Sequence, residues 1–115
     1  MHEMMVAESL LETISAEAEK QNATPVNARI SCGMLNAIND EVLRFAFEAI
    51  SKGTQCEGMK LHIEYKPMRG RCKSCNESFE IELSRPECPK CKSGDFELLA
   101  DAPLLLEEIE FQTEQ

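Results

Sequence analysis

The chain has 115 residues, 43% of them hydrophobic, with six cysteines, one tyrosine and no tryptophan. That length predicts one domain, or one domain with a small appendage, whose modest core is of the kind often reinforced by a metal or by disulfides. The formal charge of −9 argues against general affinity for nucleic acid. The shortage of aromatic rings argues against a base-stacking platform, and no apolar run reads as a signal peptide or membrane span.

In chain order, residues 4–20 read as a helix. Val6, Leu10, Ile14 and Ala18 recur every four positions, with Ala7 and Leu11 beside them, and Asn22 and Pro25 end the pattern. Residues 26–32 alternate, with Val26, Ala28, Ile30 and Cys32 on one face of a half-buried strand. A second helix is predicted from about Asp40 to Ser51, with Asn39 as N-cap, Gly53 just past its end, and Leu43, Ala46, Phe47 and Ile50 as its apolar stripe. Residues 59–65 alternate again, with Met59, Leu61, Ile63 and Tyr65 on the apolar side, and Pro67 to Gly70 break the pattern. A cysteine module follows to about Phe96. Residues 104–111 form a third strand with Leu105, Ile109 and Phe111 on one side, and this strand should return to the first strand's sheet. The predicted fold class is α+β: two helices packed on a three-stranded sheet, with an inserted zinc-ribbon module. The predicted domains are 1–66 with 104–115, and 67–103.

Cys72-Lys-Ser-Cys75 and Cys88-Pro-Lys-Cys91 are separated by twelve residues. Each pair can form a knuckle that aims two sulfurs, and the backbone N–H groups around them, at one point. Asn76 and Gly94 are residue types that accept the chain reversal each knuckle needs. Four thiolates favour tetrahedral zinc with no open position, a structural rather than catalytic site. Iron would share that geometry, whereas a redox pair would sit between a strand and a helix. The same spacing, with no sign of secretion, places the chain in the cytoplasm with reduced thiols. Residues 66–92 carry seven Lys/Arg and four Glu, a local net of +3. That surplus suits the formal −2 of a zinc tetrathiolate, and it leaves a second reading open: a zinc-ribbon module that binds protein or RNA.

The chain starts Met1-His2-Glu3. A histidine near a terminus is usually just solvated. At position two, however, it can chelate one metal through the terminal amine, its own deprotonated amide and its imidazole, closing five- and six-membered rings. Glu3, water or a partner would supply a fourth position. Nitrogen-rich, roughly square-planar sites favour Cu(II) or Ni(II). The bulk of His2 predicts that Met1 is retained.

Met1-His2-Glu3-Met4, Leu43-Arg44-Phe45-Ala46-Phe47-Glu48, Lys52-Gly53-Thr54 and the two cysteine pairs, in this order along the whole chain, resemble the HypA/HybF family of hydrogenase maturation nickel metallochaperones. The resemblance implies nickel at the N-terminus, with His2 as ligand, backbone nitrogens including the Met1 amine around the ion, and Glu3 adjacent. It implies zinc on Cys72, Cys75, Cys88 and Cys91. It further implies a carrier rather than an enzyme, which passes Ni(II) to the large subunit of [NiFe]-hydrogenase with an accessory GTPase, and in some members serves urease. A homodimer is left open. The chain departs from the family pattern at Cys32-Gly33-Met34-Leu35-Asn36, where an acidic turn is usual.

Other candidates read as structural. Cys32, on an apolar strand face, is expected to be a buried inert thiol; Cys56, in a loop, is expected at the surface; His62 lies on the polar side of its strand. Met4 and Met5 suit packing better than ligation. Glu107, Glu108 and Glu110 suit a solvated strand face that discourages edge pairing. No nucleophile–base set is evident.

Overall fold

The structure, a computed structural model, describes residues 2–36 and 38–112. Its elements are α1 (Glu3–Gln21), β1 (Thr24–Gly33), α2 (Asp40–Ser51), β2 (Lys60–Lys66), β3 (Arg69–Cys72), β4 (Ser78–Glu80), β5 (Phe96–Leu98) and β6 (Leu105–Gln112), with a short 3-10 turn at Met34–Asn36. The class is α+β: two helices and two three-stranded sheets, ordered β2-β1-β6 and β4-β3-β5. The chain divides into two compact units. One holds Met1–Ser31, Ala37–Glu64 and Leu104–Gln115; the other holds Cys32–Asn36 and Tyr65–Pro103. The turn after β1 therefore belongs with the cysteines, although the sequence pattern gave no reason to separate it from the strand before it.

In the first unit, α1 buries Val6, Leu10, Ile14 and Ala18, the residues its four-residue spacing singled out, together with Ala7, while Leu11 beside them is half-buried. It ends where Asn22 turns left-handed at φ 51° and donates its N–H to Glu19, while the Ala23 N–H reaches the Ala18 carbonyl. α2 starts at the expected cap: the Asn39 side chain accepts the Val42 N–H at 3.0 Å. It buries Leu43, Ala46 and Phe47 and ends before Gly53, whose φ of 80° suits a residue without Cβ. α1 packs chiefly on α2 and also touches β6.

β6 returns to pair antiparallel with β1. Two irregularities in that register alter the expected faces. Pro25 pairs with Phe111 and Asn27 with Glu110, so Val26 is extra and Pro25 is the residue fully buried. Arg29 pairs with Glu108 and Ile30 with Leu106, so Glu107 is extra. A bulge shifts the two-residue alternation by one. Leu106 is therefore half-buried beside Ile109 and Phe111, while Leu105, expected inside, is exposed. The extra Glu107 accepts a 2.6 Å hydrogen bond from the Ser31 hydroxyl. At the centre of the sheet, Arg29 reaches Glu64 at 3.5 Å and Glu108 at 3.6 Å.

In the second unit, β3 and β5 were not expected. Arg69-Gly-Arg-Cys shows no apolar alternation, and the strand exists because β4 and β5 pair antiparallel with it on either side. Gly70 is required there, since a Cβ would stand 2.9 Å from the Phe96 ring. The Phe79 and Phe96 rings meet edge to face at 5.4 Å, and with Ile81 they form most of the apolar packing beside the cysteines.

Candidate metal centres

The two C-x-x-C pairs fold into knuckles of matching construction. In the first, the Cys72 N–H donates to Glu77 and the Asn76 N–H to the Cys72 carbonyl; in the second, the Cys88 N–H donates to Ser93 and the Lys92 N–H to the Cys88 carbonyl, all at 2.8–2.9 Å. Asn76 and Lys92 both stand at φ 65°, which lets each turn close on itself. Asn76 was expected in this role, but Gly94 was not needed for it: the reversal falls two residues earlier, on Lys92, because the residue after each second cysteine occupies the same place in the turn. The Ser74 hydroxyl donates to Ser93 across the pair of knuckles at 3.2 Å.

This construction brings together Cys72, Cys75, Cys88 and Cys91, with all four sulfurs within 4.8 Å of one another. Cys72 lies 3.4 Å from Cys91, and Cys75 lies 3.6 Å from Cys88. A tetrahedral ion with bonds of about 2.3 Å needs sulfurs about 3.8 Å apart, so the donor set fits zinc. Cys72 and Cys88 are fully buried and Cys91 reaches solvent. Without a cation the four sulfurs cannot all carry charge, and their acidities split. The Cys75 N–H, chief among several donors, lowers Cys72 to about 6. The Cys91 N–H lowers Cys88 likewise. For Cys75 the Glu77 N–H pulls downward, but burial and the neighbouring sulfurs win and push it up to about 12. For Cys91 the Ser93 N–H also pulls downward, yet the Cys72 sulfur and burial raise it. Each close sulfur pair thus joins a cysteine of lowered pKa to one of raised pKa. Lys73 and Lys90, inside the knuckles, pair with Asp95 at 3.9 Å and Glu77 at 3.6 Å.

The second candidate lies at the other end of the chain. Met1 falls outside the described residues. His2 is the N-cap of α1, with φ −88° and ψ 122°; its imidazole is exposed and makes no capping bond. Its carbonyl accepts the Val6 N–H at 3.1 Å, which opens the helical ladder. The His2 N–H lies outside that ladder, so deprotonating it costs no helical hydrogen bond. The Glu3 carboxylate accepts the Asn39 N–H at 2.9 Å, and this bond, first among its neighbours' effects, holds its pKa below the ordinary carboxylate value. The start of α1 is thereby tied to the start of α2. No local signal could reveal this contact, which spans 36 residues and uses a backbone donor.

The remaining candidates separate cleanly. Cys32 is fully buried, and burial first, then the Asp101 charge, raises its pKa. Cys56 corrects the expectation of a surface thiol. It is fully buried, with its sulfur 3.5 Å from the Ser15 hydroxyl. Gly53 and Gly58, both at positive φ, bound a loop that turns this one side chain inward while Thr54, Gln55 and Glu57 stay exposed. His62 is exposed. Among the described residues, the four cysteines are the only group of three or more potential ligands close enough to share an ion, and no helix is long and apolar enough to cross a membrane.

Fold and sulfur cluster together define a small α+β protein with an inserted four-cysteine module of the zinc-ribbon type. Residues 1–111 match the family model described as hydrogenase/urease nickel incorporation, metallochaperone, HypA. The chain is 36% identical over 113 residues to the hydrogenase maturation factor HypA of Azotobacter vinelandii, covering 97% of this chain and 100% of that one. It is 38% identical over 94 residues to HypA of Syntrophus aciditrophicus, covering 81% and 82%. The solution structure of the Ni metallochaperone HypA from Helicobacter pylori superposes with a TM-score of 0.64 at 25% identity, over 99% of this chain and 100% of that one. The chain belongs to the HypA family of nickel metallochaperones that act in hydrogenase maturation.

Proposed function

We propose that the N-terminus of this protein captures Ni(II) and releases it to the large subunit of [NiFe]-hydrogenase with the help of an accessory GTPase, urease being a further recipient. The ligands are the Met1 amine and the amide and imidazole nitrogens of His2, with Glu3 beside them. Four-coordinate nickel suits three nitrogens in fused rings, with the remaining position open to a donor from the recipient. The observation that carries this reading is the exposed His2 imidazole at the head of α1, outside the helical hydrogen bonds. An ion held there can leave without unfolding anything.

The four cysteines hold a structural Zn(II), which the sulfur spacing fits. In this reading residues 1–66 with 104–115 are the nickel-binding domain and 67–103 the zinc-ribbon domain. The protein works in the cytoplasm as a carrier that catalyses no reaction. The test is a calorimetric and absorption titration of Ni(II) into zinc-loaded protein, parent against His2→Ala. The parent should bind one ion with a square-planar band near neutral pH, and the variant should lose both heat and band. Equal binding by the two would sink the reading.

A further inference from the structure

A cleft of about 750 Å³ lies in the first unit between the C-terminal half of α2 and the start of β2. Its floor is apolar, with Phe47 and Leu61 at 2% and 5% exposure, and Arg44, Lys52 and Lys60 stand around it. The charges are distributed against expectation. Residues 1–64 and 104–115 hold fourteen Asp/Glu and only five Lys/Arg, and three of those five line this one cleft. Arg44 is engaged, by Asp40 at 3.3 Å and by the Leu61 carbonyl at 3.1 Å. Lys52 and Lys60 are exposed and have no carboxylate partner among the described residues. Of the two acids at the rim, the Glu57 carboxylate is occupied by the Gly53 N–H at 3.0 Å.

The cleft also meets the border of a sheet. β2 is an outer strand in the order β2-β1-β6. On that strand the Leu61 carbonyl accepts from Arg44 Nε at 3.1 Å, so a side chain from α2 already meets its backbone.

We propose that this cleft is a docking site for an extended, carboxylate-bearing segment of a protein partner. The segment lies along the outer border of β2, seats an apolar side chain over Phe47 and Leu61, and sets its carboxylates against Lys52 and Lys60. One of its N–H groups takes over the Leu61 carbonyl, and Arg44 is freed to hold a further carboxylate. Backbone pairing supplies affinity, and the cations select acidic sequences from a surface that otherwise repels them. The site is independent of nickel and of the N-terminal residues.

The test uses full-length, zinc-loaded, 15N-labelled protein and an acetylated, amidated peptide Glu-Val-Glu-Leu-Glu, with Lys-Val-Lys-Leu-Lys and inorganic phosphate as comparators. The acidic peptide should shift the amides of Lys60 to Ile63 and the Arg44 side-chain N–H. Its affinity should fall about tenfold in Lys52→Glu/Lys60→Glu, and less in Lys52→Gln/Lys60→Gln, with the spectrum of the free protein unchanged elsewhere. Absence of binding at millimolar peptide, equal binding of the basic peptide, or the same shifts from phosphate alone would overturn the proposal.

Discussion

The two units of this protein are held together by different means. The helical unit buries a continuous apolar set that includes Leu10, Ile14, Ile30, Leu43 and Phe47. The cysteine unit has strands of three and four residues, and little apolar packing beyond Phe79, Phe96 and Ile81. A core that small offsets little of the chain entropy lost on ordering, so this unit is expected to depend on an ion held by its four sulfurs. The contrast extends to the two candidate metal sites. One draws its ligands from two knuckles, whose nearest members, Cys75 and Cys88, are 13 residues apart; the other sits at the head of a helix. In the function proposed above, retention and release fall to these opposite kinds of backbone.

Removing zinc should separate the two units most sharply. A strong chelator, or Cys88→Ser, should abolish the dispersed amide signals of β3 to β5 while leaving the circular dichroism of α1 and α2 largely intact, because a structural zinc contributes about 10–16 kcal/mol to its own module. Cooperative loss of both units would show that the helical unit does not stand on its own core. Acid should act through the same sulfurs. Protons compete with zinc, so affinity falls as pH falls; because Cys72 is lowered to about 6 while Cys75 and Cys91 are raised, binding near pH 7.5 should release fewer than four protons. Calorimetry in buffers of different ionisation enthalpy counts them, and four would contradict the split in acidity.

Phe47→Ala is the complementary lesion. It should cost about 3–5 kcal/mol in denaturant unfolding followed by helical signal, with zinc content unchanged. Gly33→Ala should cost about 1–3 kcal/mol, since a Cβ there would overlap the Asp101 carboxylate; Gly33→Ala with Asp101→Ala should recover most of that loss in the same assay. The smallest effect is expected at Lys92, whose left-handed backbone strains any side chain. Lys92→Gly should stabilise the zinc-loaded protein by under about 1 kcal/mol in thermal unfolding, because relieved strain exceeds the added freedom of the unfolded chain only slightly.

The helices were legible because their signals are local: a four-residue apolar period in α1, a capping asparagine and a terminal glycine in α2. The cysteine cluster was legible for the same reason, as two short turns each carry their own instructions. Two strands of the second sheet were missed because Arg69-Gly-Arg-Cys becomes a strand only when β4 and β5 lie beside it. Leu105 was assigned to the wrong face because a bulge depends on the pairing of two distant strands, and periodicity read along one of them cannot show it.

What the amino-acid sequence determined by itself is therefore whatever is encoded within about one turn of chain: helix faces and ends, the two knuckles, and a histidine free at position two. Tertiary structure alone decided the β1–β6 register, the burial of Cys56 beneath its loop, and the capture of the Glu3 carboxylate by the Asn39 N–H. Each of these joins atoms more than 30 residues apart or depends on which surface a loop folds against, so it rests on burial of the common core and not on any one stretch of chain.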